Sequence, residues 1–272
     1  MEDITLIQPT RGLAALQLRA VWHYRELLYF LVWRDVKVRY KQAALGVLWI
    51  LLQPLLTTFV FTLLFGILLK VPSGDSPYPV FALAGLLPWQ YFANSLNRSS
   101  TNLVENANLI TKVYFPRLIV PVSGVLSGLV DFGVGFLILI ALMVVYRITP
   151  TPAVVLLPGF MLLAIAAALG TGLWLSALNV RFRDVKQLVP FLVQIWMYLT
   201  PVIFPLTIIP EPLQPLMALN PMTGVVEGFR WALLGEQPPS GLIFVSIAIT
   251  LVVLVSGAFY FRSTERTFVD II

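Results

Sequence analysis

Few side chains in this sequence are equipped for chemistry, and their placement is uneven. Asp131 is the one charged residue in the apolar run 118–146. An ionised carboxylate at the centre of a bilayer costs about 2.5–3.5 kcal/mol on insertion scales, so it must find a partner. Two readings are open: a proton or substrate relay, or a structural acid hydrogen-bonded against a neighbouring helix. No basic residue lies at similar depth along another apolar run, and one acid is a thin basis for proton coupling, so the structural reading carries more weight. Cysteine is absent and His23 is the single histidine. That excludes disulfides and thiol nucleophiles and leaves no material for a Cys/His zinc site or a histidine-centred triad. The sequence holds no G-x-x-x-x-G-K-[ST] phosphate loop, no dinucleotide fingerprint and no H-E-x-x-H. Any work must draw its energy from an ion gradient or from another chain.

A second set of residues is amphiphilic rather than catalytic. Trp49, Gln53 and Thr57 share one helical face, as do Phe191, Gln194 and Tyr198. Aromatic rings stack on the C–H faces of sugars and amides hydrogen-bond their hydroxyls, so such faces suit a path for carbohydrate. Interface-belt aromatics and ordinary packing are the competing explanation. Small residues gather elsewhere: Gly124, Gly128, Gly133 and Gly135 around Asp131, and Ala164, Ala166, Ala167, Ala168, Gly170 and Gly172 further on. These let helices approach closely, and packing is their expected role.

The elements that must carry these residues are membrane helices. The chain is 58% hydrophobic and 11% charged, against about 25% charged in soluble domains, with mean hydropathy +0.88. The net charge of +5 reports membrane topology, not nucleic acid. The N-terminus, with acids where a basic region should be and no apolar core after it, does not read as a signal peptide. Residues 18–41 repeat apolar and basic positions at spacings of three and four, predicting an amphipathic helix in the membrane interface, with Arg34, Lys37, Arg39 and Lys41 on its polar side. Charges stop at Gln42 and resume only at Lys70.

Apolar runs then predict six spans at about 46–69, 78–97, 118–146, 153–180, 188–210 and 241–261, each judged against the roughly 20 residues a bilayer core demands. Prolines 201, 205, 210, 212 and 215 crowd the region after 188. One span plus a re-entrant return there keeps both termini cytoplasmic. Fifteen basic residues then face inward and three outward, the latter being Lys70, Arg147 and Arg230, a strong positive-inside bias. The organisation is a cytoplasmic N-terminus over 1–41, a transmembrane domain over 42–261 and a cytoplasmic tail over 262–272. Residues 206–235 are too apolar for an aqueous loop and predict short re-entrant helices dipping into the outer leaflet. Between spans two and three, about 102–114, the pattern predicts a short helix outside the membrane, stopped before Pro116. It is either a docking surface for a cytosolic partner or a plain connector.

The runs WRDVKVRYKQAALGVLWILLQPLLTTFVFTLLFG, PRLIVPVSGVLSGLVDFGVG, MYLTPVIFP and NPMTGVVEGFRWALLG together resemble the membrane subunits of type-2 ABC exporters of lipid-linked polysaccharides such as O-antigen. The resemblance extends from about Trp33 to Phe261. It implies an all-α transmembrane domain of six helices, a homodimer, and two copies of a separate cytoplasmic ATPase that holds ATP and magnesium, with no cofactor on this chain. It further implies an interface helix over 18–41, a coupling helix over 102–114 with Asn102, Glu105, Asn108, Lys112 and Tyr114 toward the ATPase, and gate helices over 206–235. Spans one and five would line the channel, which favours the sugar-path reading of their aromatic and amide faces. The implied setting is the bacterial inner membrane, with membrane lipid around the chain. The implied cargo is O-antigen, with capsular polysaccharide or teichoic acid as alternatives by the same mechanism. A proton-coupled secondary transporter using Asp131 is a further alternative. An integral membrane enzyme of lipid or sugar transfer is another, and it lacks a cluster of acids or histidines.

Overall fold

The charge-free runs fold as helices because only a helix satisfies every backbone group within its own segment when water is absent. A computed structural model describes residues 18–41 and 48–268, and these are helical throughout apart from short connections. The polar lead-in over 1–12, the first two residues of the expected first span and the end of the tail lie outside the described residues.

The interface segment is two helices, α1 (Leu18–His23) and α2 (Arg25–Lys41), broken by a turn at Tyr24. Span one is α3 (Leu48–Phe61), which loosens into a π-helical stretch over Thr62–Leu68. Helix α4 (Tyr78–Glu105) is the centre of the molecule, packed by α3, α6, α7, α8 and α10. Every residue from Val80 to Trp89 is buried, as expected of a helix that is apolar all round and enclosed by others. At 28 residues and a rise of about 1.5 Å each, α4 outlasts the membrane core. It runs past the expected end at residue 97 and absorbs the start of the expected coupling helix. The remainder of that segment is helical only over α5 (Ala107–Lys112). The break falls at Asn106, whose amide donates to the Asn102 carbonyl at 2.8 Å, the local competition with helical bonding that asparagine favours.

Spans three and four are α6 (Ile119–Val145) and α7 (Leu157–Arg181), the latter led by a 3-10 turn over Pro152–Leu156. The fifth long helix differs most from expectation. Helix α8 spans Val185–Tyr198 and ends where Pro201 forces the preceding residue off helical geometry, well short of residue 210. Two 3-10 turns (Leu206–Ile208 and Glu211–Leu213) and α9 (Gln214–Ala218) lead to α10 (Pro221–Leu234), which packs against α4, α7 and α11 (Ile243–Thr264). Among the described residues, four segments are long and apolar enough to cross a membrane by length and composition: 51–68, 119–145, 152–181 and 243–264. The more polar α4 and the shorter α8 complete the six.

The small residues act as packing surfaces. A Cβ on Gly257 would overlap the Gly170 carbonyl, and one on Gly170 would fall 2.6 Å from the Leu254 Cα, so α7 and α11 touch backbone to backbone. Gly124 and Gly128 bring α6 equally close to Asn102 and Ser95 of α4. Gly133 meets nothing within 4 Å and has no such role. At one end of the bundle, Leu31 of α2 joins Leu103, Ile110, Phe115, Ile119, Leu173, Val180, Phe261 and Phe268 in one buried cluster. Thus the interface helix, α5 and the ends of four membrane helices share a single small core.

Candidate functional site

Asp131 is fully partnered, although its position in the sequence offers it no basic neighbour. Arg39 of α2 donates to its Oδ2 at 2.5 Å and Arg98 of α4 to the same oxygen at 2.6 Å. Tyr40 donates its hydroxyl to Oδ1, and Arg39 also reaches Ser127 Oγ at 3.4 Å. The expectation that no basic residue lies at this depth is therefore overturned. It assumed that Asp131 sits mid-membrane and that Arg98 and Arg39 lie outside. In the fold α4 continues as helix through Arg98 to Glu105, and α2 delivers Arg39 and Tyr40 against α6, so two neighbouring helices bring arginines to the acid. Burial, and then the bond to Asp131, push the Tyr40 phenol above its ordinary value, so it stays a neutral donor.

Beside this cluster lies a cavity of about 170 Å³, walled by Arg39, Tyr40, Arg98 and Asp131 on one side and by Trp49, Gln53, Gln90 and Asn94 on the other. The structure thus gathers Asp131, Arg39, Trp49 and Gln53, which the sequence had placed in three separate categories. Thr57 lies one turn further along α3 and donates to the Gln53 carbonyl at 2.9 Å. Trp49 is half exposed.

Phe191, Gln194 and Tyr198 are exposed along α8, which packs on α4 and α7 while α3 packs on α4 and α6. The two amphiphilic faces therefore flank α4 on separate sides of the chain and do not form one wall within it. Among the coupling residues, Tyr114 is 85% exposed, and Glu105, Asn108 and Lys112 are exposed with it. Asn102 is not: it is buried, its amide donating to the Val120 carbonyl at 3.4 Å, so it ties α4 to α6 and has no surface to offer. Glu105 lies 3.9 Å from Lys186, bridging the end of α4 and the start of α8. On α2, Arg34 pairs with Asp35 at 2.8 Å, Lys37 and Lys41 are exposed, and only Arg39 turns inward.

The loop after α8 and helix α10 hold a second polar centre. Arg230 of α10, counted from the sequence as an outward charge, is 1% exposed. Its guanidinium donates to the carbonyls of Pro201 at 2.6 Å, Val202 at 2.5 Å and Phe204 at 3.2 Å, and lies 3.7 Å from the centroid of the Phe81 ring and 3.6 Å from Glu227. Tyr78 donates to the Ile203 carbonyl at 2.8 Å. Asn220 accepts from the Trp196 indole at 2.9 Å and from the Met222 amide at 3.0 Å, and donates to Thr200 Oγ1 at 2.7 Å. The loop after α8 is irregular backbone, and three of its carbonyls are satisfied by one buried arginine.

The profile of the ABC-2 type transporter family matches residues 26–234, the span from the interface helix to the end of α10. The chain belongs to the ABC-2 type transporter family. It is 33% identical over 257 residues to the O-antigen export system permease protein RfbA of Myxococcus xanthus, covering 93% of this chain and 97% of that one. A Klebsiella pneumoniae protein of the same name is 30% identical over 254 residues, covering 91% and 95%. The polysialic acid transport protein KpsM of Escherichia coli is 26% identical over 242 residues, covering 86% and 91%. As an ABC-2 chain it is a multi-pass transmembrane component and not the ATPase. Sequence reasoning missed Arg98, Tyr40 and Arg230 as organising residues of this ABC-2 domain. The available signal was that arginines bordering apolar helices must be neutralised or hydrogen-bonded.

Proposed function

We propose that this chain is the permease subunit of an ATP-driven exporter that moves a lipid-linked polysaccharide, O-antigen foremost, from the cytoplasmic side across the bacterial inner membrane. The observation that carries the reading is similarity along nearly the whole length of both chains to O-antigen export permeases. The geometry adds support. Helices α3 and α8 carry half-exposed aromatic and amide faces that a single copy leaves uncovered, so a second copy of the chain would complete a wall around a polymer. Rings that stack on sugar C–H faces and amides that exchange hydroxyl partners let a glycan slide without a deep binding minimum. Two ATPase subunits, holding the ATP and magnesium, would dock from the cytoplasm on α5 and its flanks, through Glu105, Asn108, Lys112 and Tyr114, and move the shared cytoplasmic core that also seats α2. Both termini would lie in the cytoplasm. Similarity to a polysialic acid transporter favours capsular polysaccharide as the second cargo reading. The proton-coupled alternative loses its footing, because Asp131 is engaged by two guanidiniums and a phenol.

The test is export of polymer to the cell surface in a strain lacking the permease, with the ATPase co-expressed. Trp49→Ala is expected to impair export while the permease still co-purifies with the ATPase. Loss of assembly would make Trp49 a packing residue instead. Export by the purified permease with no ATPase present would overturn the whole reading.

A further inference from the structure

The segment that follows α11 is held more firmly than its composition calls for. A polar stretch such as RSTERT, leaving the end of a helix, frays unless something ties it down. Residues Glu265–Thr267 form a 3-10 turn, closed by an ion pair between Arg262 and Glu265 and by Thr267, which donates to the Thr264 carbonyl at 2.8 Å. Arg117, in the connection between α5 and α6, donates to the Glu265 carbonyl from 148 residues away in sequence. Phe268, directly after the turn, is 1% exposed and meets Phe261 edge to face, with ring centroids 5.3 Å apart. It lies in the same buried cluster as Ile110 of α5, Phe115 and Leu31 of α2. Helix α5 needs such support. It has six residues, well below the roughly 12–15 at which an isolated helix becomes even marginal in water. Ile110 is its one buried side chain, while Asn108, Thr111 and Lys112 are exposed.

We infer that the segment Glu265–Phe268 positions α5: Phe268 is the wedge that completes the core onto which Ile110 and Phe115 fold, and Arg117 is the tie that keeps the wedge seated. Both are positioning residues. The consequence for docking rests on the proposed function, in which the outward face of α5 receives the ATPase; the hold on α5 does not. Without the wedge, Ile110 and Phe115 border a void, and a helix with a single buried anchor loses its fixed orientation. The surface carrying Asn108, Lys112 and Tyr114 is then no longer presented in one way. A segment that merely capped α11 would govern its own residues and leave α5 untouched.

The hold is tested by hydrogen exchange on the full-length chain in nanodiscs, without the ATPase. Phe268→Ala should speed exchange about tenfold or more over 265–268 and over 107–113 alike, because it empties a shared core. Helix α10, which belongs to a different core, should keep its wild-type rate. Phe268→Leu refills most of the volume and should restore most of the protection. Should Phe268→Ala fail to fold, Arg117→Met tests the tie from its other end and should speed exchange at 265–268. Exchange raised at 265–268 alone by Phe268→Ala, or not raised there by Arg117→Met, overturns the inference. Docking is read separately, by titrating the ATPase onto the nanodiscs. Phe268→Ala should weaken binding about tenfold if about one-tenth of the chains keep the seated orientation, and Phe268→Leu should recover it. Tyr114→Ala, whose ring is exposed beside α5, should weaken binding and leave exchange at 265–268 unchanged. Weaker binding with Tyr114→Ala but not with Phe268→Ala overturns the positioning role alone. Full binding with both refutes docking on this face and its dependence on the wedge, while exchange decides the hold by itself.

Discussion

Replacing Arg230 by methionine should loosen the packing of α10 against the loop after α8. The side chain is 1% exposed and donates to three carbonyls of the loop after α8. Each hydrogen bond to a charged donor is worth about 1.5–3 kcal/mol, and the carbonyls left behind have no water to turn to. The 3.7 Å approach to Phe81 adds about 2 kcal/mol where the cation is desolvated. Against this, methionine fills most of the volume and the desolvation of the guanidinium is recovered, so the contributions do not sum. Breaking one side of a buried pair costs about 3–5 kcal/mol, and a net loss of about 4 kcal/mol is expected on the same scale. At roughly 2–4 °C per kcal/mol for a chain of this class, the apparent Tm should fall by about 8–16 °C. The assay is thermal scanning of the detergent-purified chain, followed by size-exclusion chromatography. Glu227, 3.6 Å from Arg230, supplies the refutation: Arg230→Met with Glu227→Gln should recover part of the loss, because the second change removes the stranded charge. A single variant melting within about 2 °C of wild type, or a double variant worse than the single, would show that the arginine is not the clamp described.

Other outcomes concern neighbouring features. Asn220→Ala removes the cap on α10 and orphans the Trp196 indole; a cost of about 2 kcal/mol should register as a lower Tm and faster proteolysis within 199–205, and Asn220→Asp, which keeps both acceptors, should recover most of it. Gly257→Val would drive a side chain into the Gly170 carbonyl and should sharply reduce folded yield, whereas Gly133→Ala, with open space around it, should be neutral or stabilising by about 0.5–1 kcal/mol. Glu236 lies outside the spans, and burial, partly offset by Arg230, raises its carboxyl above the usual range. The folded state therefore holds this proton more tightly than the unfolded chain. The stability it contributes is complete below the ordinary carboxylate value and is lost as pH rises through the raised one. Glu236→Gln should remove that part of the pH dependence of Tm, and an unchanged profile would contradict the assignment.

Span positions were legible in the sequence because they are written in charge: long runs without charged residues mark the crossings. Helix α6 and helix α7 begin and end within a few residues of expectation. The relative depth of residues on different helices was not legible. Arg98 looked like the first residue of a loop and Asp131 like the centre of a span, yet the two are 2.6 Å apart, because α4 continues as helix to Glu105 and no one-dimensional pattern records an offset between helices. Arg230 was hidden for a related reason. Its neighbours in sequence are mixed, and only the unsatisfied carbonyls of a distant loop reveal why a charge belongs there. Gly85 was the missed clue, since a Cβ at that position would meet Arg230 Nη2 at 2.8 Å and the Val202 carbonyl at 3.0 Å.

The backbone contact between Gly170 and Gly257 bears on how the molecule changes shape. Two helices meeting main chain to main chain cannot slide or rotate past one another without collision, so α7 and α11 behave as a single beam. With α4 and α10 packed on it, that beam is a fixed frame. Helices α3 and α8 lean on the frame along one side only and show exposed faces to the other. They are the leaves of a door hung on that frame. Any widening demanded by a bulky cargo must then come from the leaves, and the force that opens them must arrive at the hinges: the small core under α2 and α5, and the arginine-held loop at the far end of α8.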